Sequence, residues 1–156
     1  MEELAVKSEL VQYIKIQLDE ELYGIDISYV DNIVRPQHVT RVPNVADYIK
    51  GVINIRGEII PIMNLRLKMG LEEIEDDKNT RFIIIKIEQY GKIGLIVDAV
   101  KEVVTLDDSH IEMMKYDAKD EATQHFVMGV GKLEDSLVSL LDLNTVIMEK
   151  QANKEE

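Results

Sequence analysis

Apolar residues recur along this chain in short stretches with a two-residue period, and this pattern predicts β-strands. Ile14, Ile16 and Leu18 alternate with more polar neighbours, and the same phase returns at residues 83–87. A period of two is typical of a strand that buries one face. Turn-forming residues separate roughly five such stretches in each half, which favours small all-β barrels over a sheet built from βαβ units.

The segment GVINIRGEIIPIMNLR at residues 51–66 predicts a hairpin with a charged tip. Gly57 permits the backbone conformation of a tight turn, and the β-branched residues on either side suit a buried sheet. Pro61 cannot donate a hydrogen bond to a ladder, so its strand should be an edge or carry a bulge there. The return strand IIPIM is apolar at consecutive positions, which predicts that both of its faces are covered.

The chain also repeats itself in order. Two pairs of glycines coincide when the halves are aligned, Gly24 with Gly94 and Gly51 with Gly129. The aligned blocks are residues 14–18 with 83–87, 23–34 with 93–104, and 51–65 with 129–143. Collinear blocks with shared glycines indicate an internal duplication. Because each half is too small to bury a full core alone, the halves should share an interface.

We predict two β-barrel subdomains, residues 1–76 and residues 77–156, divided within an acidic run, and we leave open an exchange of strands between them. Helices should be minor. The short candidates are residues 44–50 and, near the C-terminus, residues 143–151. Residues 152–156 should form a frayed tail.

The composition is that of an ordinary globular chain. Of 156 residues, 46% are hydrophobic, which is enough apolar material for a core. No cysteine occurs, so disulfides and thiolate chemistry are excluded. The formal net charge of -12 disfavours binding to nucleic acid or anionic lipid, and no basic patch offsets it. The N-terminus has neither a signal-peptide pattern nor a membrane span, so we expect a cytoplasmic protein.

No set of residues predicts catalysis. His38, His110 and His125 lie in separate loop-like settings without metal-ligand spacing. Neither a nucleophile elbow nor a phosphate-binding glycine loop occurs. We therefore expect a protein that is not an enzyme and that needs no metal and no cofactor. Two interpretations of Arg56 stay open: a solvated turn residue, or a planar anchor for a partner's carboxylate or carbonyl groups.

Residues 23–66 resemble the CheW-like domain family of bacterial chemotaxis coupling proteins. The similarity extends from about Val11 to Ile147, and its most specific part is the pattern GVxNxRGxxxPxxxLR in the predicted hairpin. The resemblance implies an all-β fold of two SH3-like five-stranded β-barrels packed side by side, with short helices including one at the C-terminus. It also implies a non-catalytic scaffold in signal transduction.

The resemblance implies two protein partners. One is the cytoplasmic tip of methyl-accepting chemotaxis receptors, and the other is the regulatory domain of the histidine kinase CheA. The adaptor would then couple receptors to the kinase in arrays at the membrane, without inserting into the membrane and without binding nucleic acid. No motif assigns the kinase contacts to single residues.

Carried over by position, the resemblance places the receptor tip in an apolar groove between the two barrels. The candidate receptor-binding residues are Ile14, Ile27, Val30, Asn32, Ile33, Gly51, Arg56 and Val100. Plain barrel core is the alternative for the isoleucines and Val30, and it stays open. Many family members carry glutamate at the position of Asn32, which keeps hydrogen bonding but lacks the charge. Asp31 beside it should point to the opposite face of the strand.

Two other functions stand beside this one. An adaptor of a different chemosensory-type pathway, such as pilus motility or development, would use the same domain with other partners. A barrel that binds single-stranded nucleic acid would need aromatic stacking platforms in a basic groove. Two phenylalanines, no tryptophan and the net charge of -12 argue against the nucleic-acid function.

Overall fold

The computed structural model describes residues 10–113 and 126–148, in which strands dominate. In chain order the elements are β1 (Val11–Leu18), β2 (Glu21–Asp26), β3 (Val30–Val34), β4 (Ile49–Ile55), β5 (Glu58–Asn64), α1 (Leu65–Lys68), β6 (Arg81–Ile87), β7 (Gly91–Val97), β8 (Ala99–Leu106), β9 (Ile111–Met113), β10 (Val127–Lys132), β11 (Leu137–Leu141) and α2 (Leu143–Met148). The strands form two sheets, so the all-β prediction with few short helices is confirmed.

Each sheet combines strands from both halves of the chain. The first sheet has the order β8-β1-β2-β11-β10-β9, and the second sheet has the order β3-β6-β7-β5-β4. Neighbouring strands are antiparallel except for β2 with β11 and β5 with β7, which are parallel. The initial strand pair of each half therefore lies in the sheet that the other half completes. The subdomain limits at residues 76 and 77 stay a prediction.

The two strand orders bear out the predicted repeat. The aligned blocks make β1 equivalent to β6, β2 to β7, β3 to β8, β4 to β10, and β5 to β11. Substituting these equivalents converts the order β8-β1-β2-β11-β10 into β3-β6-β7-β5-β4, which is the second sheet. The first sheet has six strands where five were predicted, because β9 pairs with the outer side of β10. In the second sheet a single bridge between Thr40 and Val52 takes the place of β9. Closure of the sheets into barrels stays a prediction.

Three apolar clusters explain the hydrophobic pattern. The shared core takes buried side chains from both sheets: Ile14, Ile16, Leu18, Tyr23, Ile25, Met63, Leu65, Ile83, Ile85, Ile87, Ile93, Leu95, Val97, Phe126, Leu141, Leu143 and Val146. The outer core of the second sheet consists of Ile53, Ile60, Ile62, Phe82 and Ile84. The outer core of the first sheet consists of Tyr13, Leu106, Val138 and Leu140.

Strands β5 and β6 are apolar at consecutive positions because each has a core on both faces. On β6, Ile83 belongs to the shared core, while its neighbours Phe82 and Ile84 belong to the outer core of the second sheet. Ile62 and Met63 on β5 divide in the same way. The prediction that both faces of the return strand are covered is confirmed at Ile62 and Met63, whereas Ile59 at the start of the strand is 60% exposed. Burial of each such side chain stabilises the fold by about 1.5 to 3 kcal/mol.

The prediction that the strand containing Pro61 is an edge strand or carries a bulge at the proline is wrong, because β5 lies between β7 and β4 in the second sheet. Pro61 pairs with Val52 on β4, and the parallel ladder with β7 begins only at Ile62. The register shift of this hairpin lies in β4, between Ile49 and Gly51, rather than at the proline.

One predicted helix is wrong. Residues 44–48 form loop and turn, and Ile49 opens β4 by pairing with Met63 on β5. Asn44 has a φ of 62° instead of the extended backbone of a helix cap. Pairing with a strand that follows in sequence therefore overrides a weak capping signal.

The two helices in the described residues are short. The hydrophobic pattern does not predict α1, which Asn64 caps by accepting a hydrogen bond from the Leu67 N–H at 3.0 Å. The predicted C-terminal helix is confirmed as far as Met148, while residues 149–151 and the predicted tail lie outside the described residues. Neither helix is long and apolar enough to cross a bilayer.

Candidate functional site

The tip of the β4–β5 hairpin holds Arg56 in a backbone conformation that side chains disfavour. The ladder ends with Ile55 opposite Glu58, which leaves Arg56 and Gly57 as a two-residue turn. Both have positive φ, 54° for Arg56 and 85° for Gly57. The Gly57 N–H donates to the Asn54 Oδ1 at 2.9 Å. Such a turn prefers asparagine followed by glycine, so arginine at its first position costs about 1 kcal/mol.

The equivalent tip of the β10–β11 hairpin is built differently. Leu133 and Ser136 exchange backbone hydrogen bonds of 3.0 and 3.3 Å around Glu134 and Asp135, a turn of the same length. Neither turn residue has a positive φ. An unfavourable backbone angle at one of two equivalent tips points to a functional reason for the arginine.

A cavity of about 70 Å³ lies beside Arg56. Lys92 on β7 bridges two acids in its wall, with the Nζ 3.0 Å from Glu58 Oε1 and 3.4 Å from Asp31 Oδ2. The hydrogen bond with Glu58 is the main cause that raises the pKa of Lys92, and the contact with Asp31 adds to it. The cavity is lined by Asp31, Asn32, Ile55, Arg56, Glu58, Ile60, Ile84 and Lys92.

Arg56 itself has no ion-pair partner in the part of the chain that the structure describes. Its side chain is exposed, and no described carboxylate oxygen lies within 4.0 Å of the guanidinium. Asn32 contributes no charge, and its Oδ1 accepts a hydrogen bond from the Ile33 N–H at 2.9 Å. Of the charged groups around the cavity, Arg56 is therefore the one that remains open to a partner.

A β-bulge in β3 divides the predicted site residues between two faces. Val30 pairs with Ile85, whereas Asn32 pairs with Ile84, because the ladder shifts register between them. Neighbouring positions on β6 face opposite sides. Val30 therefore packs against the shared core, and Asn32 lines the cavity beside Arg56.

Four of the predicted receptor contacts belong to the shared core or pack against it. Ile27, Val30 and Val100 are half-buried and pack against the shared core, and we call these three residues the inter-sheet margin. Ile14 is a member of the shared core and is 5% exposed. Val30 and Val100 are equivalent in the repeat and lie on β3 and β8, the terminal strands of the two sheets. The inter-sheet margin therefore contains the same position of both repeats, Val30 in the first and Val100 in the second.

Ile33 and Gly51 occupy other settings. Ile33 lies on β3 opposite Ile83 and is 37% exposed. Gly51 is buried with a φ of 141°, and a Cβ atom there would collide with the Thr40 carbonyl oxygen. Gly51 can therefore contribute to function only through the backbone geometry that it allows. The roles of all eight candidate residues as receptor contacts stay predictions.

A buried arginine ties the two sheets together. Arg66 on α1 donates to Asp98 Oδ2 at 2.7 Å, to Asp19 Oδ1 at 3.4 Å, and through its Nε to the Glu72 carbonyl at 2.6 Å. Asp19 lies in the β1–β2 turn of the first sheet, whereas α1 follows β5 of the second sheet. The repeat equivalent of Arg66 is Asn144, which lines an open cavity of about 310 Å³ with Tyr29, Ile87, Glu88, Gln89 and Met148.

No sequence signal marks Lys92 as part of the site. Glu58 lies 34 positions away along the chain, and the two side chains meet because β5 and β7 are neighbours in the second sheet. Of the histidines that the structure describes, His38 is exposed and His110 pairs with Asp107, and neither lines the cavity beside Arg56. His125 lies outside the described residues. Within the described ranges, no group of three or more His, Asp or Glu side chains could hold a metal ion.

Comparison with known proteins agrees with the two-sheet fold. Residues 12–151 match the CheW-like domain family. The chain is 34% identical over 140 residues to the chemotaxis protein CheW of Klebsiella aerogenes, covering 90% of this chain and 83% of the relative. It is 36% identical over 125 residues to the chemotaxis protein CheW of Bacillus subtilis, covering 80% and 79%. The crystal structure of the scaffolding protein TtCheW from Thermoanaerobacter tengcongensis matches with a TM-score of 0.81 at 33% identity, covering 95% of this chain and 98% of that one.

Proposed function

The chain belongs to the CheW-like domain family, and on that premise we propose that it is a chemotaxis scaffold that couples chemoreceptors to the histidine kinase CheA. The observation that carries this proposal is the family match over residues 12–151, which spans both repeats and the hairpin with Arg56. The protein works in the cytoplasm at receptor arrays. It holds its partners in a fixed geometry and catalyses no reaction.

Two surfaces of different chemistry support a receptor contact on the second sheet and its margin. The inter-sheet margin offers apolar side chains of the kind that accept an amphipathic helix. Arg56 offers planar donors suited to a carboxylate or a carbonyl group. The bulge in β3 directs Val30 toward the margin and Asn32 toward the cavity of Arg56, so one strand contributes to both surfaces.

We assign the receptor tip to the inter-sheet margin, with Arg56 fixing its register. The regulatory domain of CheA binds at the same time on a surface that we assign to no single residue. Gly51 allows the β4 backbone to pack closely against the Thr40 carbonyl group, and this contact supports the hairpin.

The test is binding of the full chain to two soluble fragments from its own organism, a chemoreceptor cytoplasmic tip and the CheA regulatory domain. Titrations are made with each fragment alone and with both together. The expected result is binding to each and a ternary complex, because a scaffold must hold both partners at once. Absence of binding to both fragments would contradict the proposed function, and competition between them would contradict bridging.

Arg56→Asn tests the placement of the receptor. Asparagine suits the left-handed turn position, so the fold is retained, and loss of the charged donors should weaken receptor-tip binding about tenfold or more. The matched control is Glu134→Asn at the equivalent tip of the other hairpin, which should leave receptor binding unchanged. Equal affinities for Arg56→Asn and the unmodified chain would remove Arg56 from the interface.

A further inference from the structure

We propose that Lys92 is a positioning residue that keeps Arg56 available to an acidic or carbonyl-bearing partner by occupying the two carboxylates beside it. The inference deepens the proposed function and rests on it, because it concerns the same hairpin tip.

Both carboxylates line the same cavity as Arg56. Glu58 and Arg56 flank Gly57 in the turn, and Asp31 lines the same cavity of about 70 Å³. Both acids nevertheless pair with Lys92, at 3.0 Å for Glu58 and 3.4 Å for Asp31.

The balance of charges around the cavity determines whether Arg56 forms an internal ion pair. With Lys92 present, two cations and two anions surround the cavity, and both anions already have a partner. Without the lysine, two carboxylates would face Arg56 as their single cation. A guanidinium forms planar paired bonds with a carboxylate, so Arg56 would turn inward. A partner would then have to break an internal ion pair before it could bind.

Lys92 is also well placed to hold the acids in a fixed position. It lies on β7, an interior strand of the second sheet, and 24% of its side chain is exposed. A residue on an interior strand positions its neighbours more firmly than a residue on a loop does.

The other repeat carries neither element of this arrangement. The equivalent of Arg56 is Glu134, and the equivalent of Lys92 is Leu22, a half-buried residue that packs against the outer core of the first sheet. The lysine therefore occurs in the repeat whose tip carries the arginine.

The test uses the full chain with Lys92→Met, which keeps the length of the side chain and removes its charge. Two quantities are measured: the Kd of a soluble chemoreceptor-tip fragment, and the NMR resonance of the Arg56 Nε–H group in the free protein. We expect the Kd to rise about fivefold, in line with one surface ion pair. The Arg56 resonance should move because the guanidinium pairs with Glu58 or Asp31.

A triple variant separates positioning from a structural role. Lys92→Met combined with Asp31→Asn and Glu58→Gln removes the competing carboxylates, so the affinity should return to within about twofold of the original and the resonance should return with it. A lysine that acts by stabilising the strand would give no such rescue. The control Lys132→Met makes the same charge change in the other hairpin, where Lys132 pairs with Glu112 at 3.0 Å, and should change neither quantity.

Three outcomes would overturn the inference: an unchanged Kd in Lys92→Met, an equal effect in Lys132→Met, or a triple variant that stays as weak as the single one. If the unmodified chain does not bind the receptor tip, the proposed receptor contact fails on its own account. The Arg56 resonance then still decides whether Lys92 keeps the guanidinium free of internal pairing.

Discussion

The β4–β5 and β10–β11 hairpins occupy equivalent places in the two sheets, but their tips carry opposite charges. Arg56 stands in a left-handed turn beside a cavity of four charged groups, whereas Glu134 stands in a turn without positive φ. The strands behind both tips keep the same order and the same parallel contact. Packing thus constrains the strands of both copies, and the tips, which bury little, are free to acquire different chemistry.

The same contrast holds at the contact between the sheets. In the first repeat, Arg66 forms ion pairs with Asp19 and Asp98. In the second repeat, the equivalent residue Asn144 lines an open cavity. The glycines of the repeat behave differently again, since Gly51 has a φ of 141° and its equivalent Gly129 does not have a positive φ. Equal topology therefore coexists with unequal local strain, and substitutions at equivalent positions can measure the difference.

The largest difference is expected between Gly51→Ala and Gly129→Ala. Alanine at Gly51 should lower the free energy of unfolding by about 3 kcal/mol or more, because its Cβ collides with the Thr40 backbone at a φ that side chains avoid. At Gly129 the Cβ would lie 3.0 Å from the Glu112 carbonyl oxygen, and the cost should be about 1 kcal/mol. Urea denaturation followed by circular dichroism measures both. Equal costs would mean that the two hairpins are equally strained.

The second test removes the arginine that ties the sheets together. Arg66→Met should lower the free energy of unfolding by about 2 to 3 kcal/mol, because Asp98 loses its charged partner in a mostly buried site. Asn144→Ala at the equivalent position should change it by less than about 0.5 kcal/mol, since it opens onto a cavity. The same denaturation experiment compares them. Similar losses in both variants would show that the arginine contributes nothing beyond its volume.

The third test compares how tightly side chains pack against the glycine of each parallel strand pair, Gly24 in the first sheet and Gly94 in the second. Gly24→Ala and Gly94→Ala should each cost about 1 to 2 kcal/mol, because the added Cβ meets Leu140 in the first sheet and Ile62 in the second. Ile62→Val in the Gly94→Ala background should restore part of the loss by making room. A tolerated alanine at either glycine would break the equivalence of the two sheets at this point.

The smallest effect, and one of opposite sign, is expected at the tip. Arg56→Asn should raise the free energy of unfolding by about 0.5 kcal/mol, because asparagine tolerates the left-handed conformation better than arginine does. Glu134→Asn should leave stability nearly unchanged, since its turn has no positive φ. Thermal or urea unfolding compares the two variants. A loss of stability in Arg56→Asn would mean that the arginine stabilises the free protein rather than serving a partner.

Most of the fold could be predicted from the sequence because it rests on local periodicity. Alternation at Ile14, Ile16 and Leu18 marks β1, and the consecutive apolar run around Pro61 marks a strand with a core on each face. The failed helix at residues 44–50 and the unpredicted α1 have a different cause. Pairing of Ile49 with Met63 on β5 decides the backbone at the end of the failed helix, and a local cap by Asn64, which the hydrophobic pattern does not mark, begins α1.

Less of the candidate site could be predicted, because its residues meet through sheet pairing. The bulge between Val30 and Asn32 sends two predicted contacts to opposite faces, and strict alternation would have placed them together. Ile14 is buried in the shared core. The hydrophobic pattern marks it as a buried position but does not show whether the protein's own core or a partner covers it.

By itself, the sequence determined the strands, their duplication, the hairpin with Arg56 at its tip, and the absence of cysteine chemistry, because these depend on residue type and spacing along the chain. The tertiary structure decided which half completes which sheet, which face each β3 residue takes, and that Lys92 meets Asp31 and Glu58. These features depend on pairing between distant segments. A register shift of a single residue reverses the face of a side chain while leaving the hydrophobic pattern almost unchanged.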